Sequence, residues 1–92
     1  MNEKEITIKE KNLKQYVLDN FKENAIIEVS YNRVFIPGKI LFIDKESAII
    51  TIQLMGELLN QRVDLVLDDI VEDIVEIIYT KDDEMIRMMV TN

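Results

Sequence analysis

Two apolar runs rich in β-branched residues, separated by a short polar break, constrain the fold of this chain most strongly. They flank Asp44-Lys45-Glu46-Ser47 within residues 36–54. β-branched side chains suit a pleated surface, and a polar break between two such runs is typical of a β-hairpin. Pro37 cannot donate to a strand ladder and Gly38 permits a strong bend, so we expect the first strand to bend there. The hairpin predicts architecture and leaves substrate and reaction open.

The residues before the hairpin predict one amphipathic helix over about 9–23. Leu13, Val17 and Phe21 recur at a spacing of four residues, and lysines occupy the other side, which is a helical pattern with one apolar stripe. Thr7 and Glu10 stand at the spacing of a capping box and predict where the helix starts. We expect the helix to pack across its own domain; docking to a partner is the alternative.

The remaining chain predicts a series of short strands. Residues 26–31, 34–43, 48–54 and 62–67 carry apolar, β-branched runs. Residues 70–79 fit a helix period, but their β-branched content favours a turn at 68–70 followed by a strand over about 73–79. Met85–Val90 is predicted as a last strand or an irregular tail. Ile6 and Ile8 alternate with polar neighbours over too short a run to predict an element.

These elements predict an α+β, mostly-β fold in a single domain over residues 1–92. The N-terminal amphipathic helix is followed by a five- to six-stranded, antiparallel, strongly bent small β-barrel over about 26–80, with the last strand or tail at 84–92. The segments leave no room for crossover helices, so antiparallel pairing is expected. Closure into a barrel removes exposed strand edges.

The composition argues against most catalytic chemistry. The chain has no cysteine and no histidine, so it lacks thiolates, the usual zinc ligands and the usual base near pH 7. We expect no enzyme, no catalytic residues and no cofactor. The chain shows no apolar stretch of signal-peptide or membrane-span length, which predicts a cytoplasmic protein without a membrane partner.

The net charge of −7 is concentrated in the last third of the chain. Residues 64–92 carry nine acids against Lys81 and Arg87, which disfavours direct binding of a nucleic-acid backbone there. Candidate partner-binding residues on an acidic face are Asp68, Asp69, Glu72, Asp73 and Glu76. A solvated strand face is the alternative. Carboxylates at 68–73 or 82–84 could offer oxygen ligands to calcium or magnesium, but neither has EF-hand spacing, and we expect no metal site.

The segment 55–61 interrupts the strand pattern and carries three apolar residues. Met55, Leu58 and Leu59 form a sticky patch if they face water, and they complete the set of candidate partner-binding residues. A loop that caps one end of the barrel is the alternative.

Two loose resemblances follow from the hairpin residues. Gly38, Ile40, Ile43 and Asp44 resemble the first motif of Sm-like, SH3-type small barrels, although Ala48 stands where that family has an RNA-contacting Asn. The same residues, with Val29, Tyr31 and Asp69-Ile70, are similar to YolD-like proteins of Gram-positive bacteria and their phages. The second resemblance implies a small accessory protein, in that family often encoded beside translesion DNA polymerases.

Together these patterns favour a non-enzymatic accessory or regulatory protein that acts by protein–protein binding and is encoded by a phage or mobile element. The first alternative is an acidic nucleic-acid mimic that inhibits a DNA- or RNA-binding enzyme. The second alternative is an Sm-like RNA-binding protein. A homo-oligomer is also compatible with the sequence, because a Met- and Ile-rich last strand over 85–90 could pair between subunits or close the barrel internally.

Overall fold

One β-sheet organises the molecule. The structure is a computed structural model and describes residues 2–56 and 61–92. Within these residues the elements, in chain order, are β1 (Asn2–Lys9), α1 (Glu10–Asn20), β2 (Ile26–Tyr31), β3 (Val34–Asp44), β4 (Ile49–Leu54), β5 (Arg62–Val66), α2 (Leu67–Ile70), a 3₁₀ turn (Val71–Asp73), β6 (Ile74–Lys81) and β7 (Glu84–Thr91).

The seven strands of the described residues form a single sheet in the order β1-β7-β6-β2-β3-β4-β5. β1 lies parallel to β7, and the other neighbouring strands are antiparallel. β1 and β5 are the two edges, and no ladder joins them in the described part of the chain. The sheet is therefore open.

The mostly-β class is confirmed, while a closed barrel of five or six antiparallel strands is wrong. The chain begins with a strand rather than a helix. β1 pairs in parallel with the side of β7 at which a closed barrel would need its next strand. β7 is consequently an internal strand and not the edge proposed for pairing between subunits.

Helix α1 begins and ends inside the predicted span of 9–23. Thr7 lies in β1, and the residue before the helix, Lys9, makes no capping bond with its side chain. The predicted capping box is thus absent, because Thr7 pairs with Met89 in the parallel ladder instead. In the described chain, neither α1 nor α2 is long and apolar enough to cross a membrane.

The hydrophobic core lies between α1 and one face of the sheet, called the core face. α1 contributes Leu13 and Val17, both fully buried, and Phe21 follows directly after the helix. These residues belong to one cluster with alternating strand residues, which include Ile27, Val29, Ile40, Ile50, Ile52, Ile77 and Met88. The alternation fixes which side chains remain for the opposite face.

The predicted hairpin forms between β3 and β4. Both carboxylate oxygens of Asp44 organise its turn: Oδ1 accepts the backbone N–H of Glu46 at 3.0 Å and of Ser47 at 3.1 Å. Oδ2 accepts the Ser47 hydroxyl at 3.0 Å. The pKa of Asp44 is lowered chiefly by the Ser47 N–H, then by its hydroxyl, because these donors favour the ionised carboxylate.

Gly38 permits a close approach between β3 and β4. A Cβ atom at Gly38 would lie 2.7 Å from the carbonyl oxygen of Gln53 and 3.1 Å from Ile52 Cδ1. The register irregularity of this strand pair lies further along, between Ile40 and Phe42. The sequence predicted a bend at Gly38. In the structure the glycine allows the close approach of the two strands, and the bulge between Ile40 and Phe42 changes their register.

Candidate protein interface

The side of the sheet opposite the core, called the outer face, carries no helix in residues 2–56 and 61–92. Its side chains follow from the strand register. Glu28 stands opposite Pro37 on one neighbour and Ile78 on the other, and Phe35 stands opposite Ser30. Polar and apolar side chains therefore alternate across this face, and in the described residues they are half-buried or exposed.

An apolar corner of the outer face forms where β3 meets the end of β4. Phe35 and Pro37 are two residues apart on β3 and point to the same side. The Met55 N–H donates to the Pro37 carbonyl oxygen at 3.1 Å, which places Met55 beside Pro37. Phe35 is 57% exposed and Met55 is 52% exposed. We call Phe35, Pro37 and Met55 the Phe35 cluster.

Other apolar side chains on the outer face lie outside this corner. Phe42, which is 55% exposed, stands opposite Thr51 beyond the bulge in β3. Met89, which is 43% exposed, stands opposite Glu76 on the other half of the sheet. The Phe35 cluster is thus separate from Phe42 although both phenylalanines belong to β3.

The predicted partner-binding loop and the Phe35 cluster share one residue. Met55 lies in the Phe35 cluster and is exposed, as a sticky patch requires. Leu58 and Leu59 lie outside the described residues. Sequence reasoning did not select Phe35 or Pro37, because an aromatic residue in an apolar strand gives no local sign of which face it occupies.

The structure divides the five acidic candidates among different surroundings. Asp68 is paired with Lys14 of α1, with 2.8 Å between the carboxylate oxygen Oδ1 and Nζ. Asp68 and Glu72 line a shallow cleft of about 640 Å³ together with Lys9, Lys11 and Lys14. Lysines from the N-terminal part of the chain therefore offset part of the acidic charge that the sequence concentrates after residue 64.

The remaining acidic candidates lie elsewhere. Glu76 belongs to the outer face, opposite Met89 and Ser30, and its Oε2 is 4.0 Å from Arg87 Nε. Asp69 and Asp73 are exposed in the connection between β5 and β6. Because Asp68 bonds to the helix that covers the core face, Glu76 and Asp68 lie on opposite sides of the sheet.

An aromatic stack lies at the C-terminal end of α1, and the sequence did not predict it. The rings of Phe21 and Tyr79 are 4.3 Å apart between centroids and inclined by 20°. The Tyr79 hydroxyl accepts the Lys22 N–H at 3.1 Å, and burial raises the pKa of Tyr79. Residues 57 positions apart meet here, so no local pattern could have revealed the contact.

A cleft of about 500 Å³ opens beside this stack. Its lining joins Tyr16, Lys22 and Lys81 to the acidic turn at 82–84. Cations, carboxylates and aromatic rings are mixed, and this mixture specifies no single ligand chemistry.

No group of three or more acidic residues in the described chain is arranged to hold a metal ion. The carboxylates at 82–84 instead form the turn between β6 and β7 and the first residue of β7. Those at 68–73 belong to α2 and the 3₁₀ turn.

These observations define a class of small, mostly-β proteins: an open sheet covered by a helix on one face, with a mixed apolar and charged opposite face. The chain belongs to a family described as an uncharacterized protein conserved in archaea (DUF2097), whose model matches residues 4–89. Searches of curated proteins and of solved structures find no match to this chain.

The family assignment corrects the resemblances to YolD-like and Sm-like proteins, and with them the expectation of a Gram-positive or phage origin. The archaeal family model covers nearly the whole chain, whereas the Sm-like pattern covers about the hairpin alone. Gly38, Ile40, Ile43 and Asp44 satisfy that pattern because they build a hairpin with a close strand approach, which many β-proteins contain. The expectation of Sm-like RNA binding rested on this resemblance and is withdrawn.

Proposed function

We propose that this protein is a non-enzymatic accessory or regulatory module that binds a partner protein through the outer face, with the Phe35 cluster at the centre of contact. The observation that supports this proposal is the exposure of Phe35 and Met55, both neighbours of Pro37, at one corner of a sheet face. Contiguous exposed apolar side chains mark interaction sites, whereas single exposed apolar residues scattered over a surface are common.

The energetics of such a contact are favourable. Full burial of a large apolar side chain contributes about 1.5–3 kcal/mol. Interfaces are enriched in aromatic residues and methionine, and a few residues carry most of the binding energy. The β3 strand holds the backbone of Phe35 and a hydrogen bond to Pro37 holds that of Met55, so the entropy lost on binding is mainly that of the side chains. Glu28 and Arg87 supply a polar surround that excludes unsuitable partners by charge.

The proposal is tested by capturing partners from an extract of the archaeal host with the wild-type protein and two variants. Phe35→Thr removes the aromatic ring and keeps a residue that favours strands. Phe42→Thr is the matched control, because Phe42 is equally exposed on the same strand but lies outside the Phe35 cluster. We expect a partner that binds the wild type and the Phe42 variant to lose at least about tenfold in affinity for the Phe35 variant, about 1.4 kcal/mol.

Equal binding of that partner by both variants would overturn the assignment of the surface. Absence of any partner specific to the wild type would overturn the function itself. Far-UV circular dichroism and urea midpoints of the variants confirm that exposed positions were changed without unfolding the sheet.

An acidic mimic that occupies a basic groove is the second candidate function, supported by the exposure of Asp69 and Asp73. Neutralising both, as Asp69→Asn with Asp73→Asn, is expected to abolish binding to a basic enzyme, and that binding should weaken steeply with salt. Glu76→Gln is the matched control, because Glu76 lies on the outer face beside Arg87. A partner that needs Phe35 and ignores these acids rules out this candidate.

A further inference from the structure

β1 offers a long strand edge at one side of the sheet. It pairs with β7 over eight residues, and in the described residues no strand lies on its other side. The N–H and C=O groups that point away from β7 thus form a template for another strand. The opposite edge, β5, is five residues long.

The side chains of β1 carry a pattern that matches itself in the reverse direction. Glu5 and Lys9 are four residues apart, and Thr7 lies midway between them. If two β1 strands pair antiparallel about a two-fold axis at Thr7, each Glu5 stands opposite Lys9 of the other copy, and each Ile6 stands opposite Ile8. Opposite charges and apolar pairs directly across a ladder both favour pairing.

Other registers of the same strand match less well. An axis at Glu5 places two glutamates opposite each other, which is unfavourable. An axis at Ile6 pairs Glu3 with Lys9, but it places the charged Lys4 opposite Ile8 and leaves Glu5 opposite Thr7. An axis at Ile8 places Ile6 opposite Glu10, the first residue of α1.

The exposure of the side chains agrees with the Thr7 register. Glu5, Thr7 and Lys9 are exposed, and Ile6 and Ile8 are partly buried at the margin of the core. A second β1 strand would therefore continue the core face over the isoleucines while the charged pairs lie on the outer side. Charges on an edge strand usually prevent pairing with other sheets, and this arrangement accepts an edge whose charges complement those of β1 while repelling one that places like charges opposite them.

We propose that a second copy of this chain binds at β1, edge to edge and antiparallel, with the two-fold axis at Thr7. The interaction surface is the β1 backbone from Glu5 to Lys9, and its specificity comes from the reciprocal Glu5–Lys9 pairs. It is independent of the Phe35 cluster, which lies on β3 and directly after β4.

A single introduced cysteine tests the register directly, because the chain contains none. Residues opposite each other in an antiparallel pair have Cα atoms about 4.5–5.5 Å apart, within the range that a disulfide spans. Thr7→Cys is expected to form a disulfide-linked dimer rapidly under mild oxidation. Glu3→Cys, on the same strand and face, is the matched control: its two copies would be about 27 Å apart at about 3.4 Å per residue.

Charge exchange tests the specificity. Lys9→Glu places like charges opposite each other at two symmetric positions, and its own neighbour on β7, Thr91, is neutral. We expect this variant to dimerise at least about tenfold more weakly by analytical ultracentrifugation. Adding Glu5→Lys to Lys9→Glu is expected to restore dimerisation, since the signs are then exchanged in both copies.

The proposal fails if the wild type remains monomeric throughout a concentration series. It also fails if the Thr7→Cys variant cross-links no faster than the Glu3→Cys control, or if Ile6→Cys cross-links faster than Thr7→Cys, which would place the axis at Ile6. Circular dichroism checks that each variant keeps its fold, because Glu5→Lys also faces Arg87 within its own chain.

Discussion

The close approach of β3 to β4 at Gly38 predicts a specific destabilisation when a methyl group is added there. In Gly38→Ala the new Cβ atom would lie 2.7 Å from the Gln53 carbonyl oxygen, and real Cβ contacts essentially never fall below 3.0 Å. The strands must therefore separate by at least about 0.3 Å, or the chain must distort, at a point where both strands are held by the ladder.

The size of the effect follows from two opposing contributions. Overpacking of a well-filled site costs about 1–3 kcal/mol, and replacing glycine by alanine within a strand returns about 0.5–1 kcal/mol through the lower entropy of the unfolded chain. We expect Gly38→Ala to lower the free energy of unfolding by about 1–2 kcal/mol, measured by urea denaturation with an unchanged m-value.

Gly56→Ala is the matched control for this prediction. A Cβ atom at Gly56 meets nothing within 4 Å, so this substitution should leave the free energy of unfolding unchanged or raise it slightly. If the two variants unfold within about 0.5 kcal/mol of each other, the scatter of neutral surface changes, the close approach at Gly38 does not limit packing and our reasoning about the hairpin is wrong.

Three further substitutions test local features of the fold. Arg33 has a φ of 66° in the turn between β2 and β3, so Arg33→Gly should stabilise the protein by about 0.5–1 kcal/mol and raise its thermal midpoint. Donors from Ser47 lower the pKa of Asp44, so its contribution is complete above the unfolded pKa of about 3.9 and is lost as the pH falls through the lower folded pKa. Urea midpoints of wild type and Asp44→Asn should accordingly differ at neutral pH and converge in acid. Tyr79→Phe removes the acceptor of the Lys22 N–H and should cost about 0.5–1.5 kcal/mol. Because burial raises the pKa of Tyr79, the wild type should lose stability above about pH 10 more steeply than this variant.

Local patterns in the sequence were sufficient for most of the strands. The hairpin around Asp44 forms as predicted, since β-branched runs and an aspartate at the turn act over neighbouring residues. The strand over Ile74–Lys81 was predicted at 73–79, where β-branched content outweighed a helical period. The segment at Glu84–Thr91, predicted as a strand or a tail, is a strand because β1 and β6 hold it on both sides.

The parts that failed depend on contacts between distant residues. β1 has only Ile6 and Ile8 as apolar residues, and it becomes a strand by pairing with β7 at the other end of the chain. The predicted capping box failed for the same reason, since Thr7 is occupied in that ladder. The different surroundings of the acidic candidates also depend on distant residues, since Asp68 pairs with Lys14 of α1. The candidate site was recognisable only at Met55, since the strand register decides which face Phe35 occupies.

The two proposed surfaces have a geometric relation that follows from the sheet alone. Antiparallel pairing of two β1 edges in one continuous sheet requires a two-fold axis perpendicular to that sheet, because directly opposed residues share a face. Both outer faces, each with its Phe35 cluster, then lie on the same side of the dimer, and both α1 helices lie on the other. A partner that offers two apolar sites would bind such a dimer with a higher effective concentration than a monomer provides. The Lys9→Glu substitution should therefore weaken capture of a two-site partner without altering the intrinsic affinity of each Phe35 cluster, whereas Phe35→Thr should weaken that affinity and leave the dimer intact.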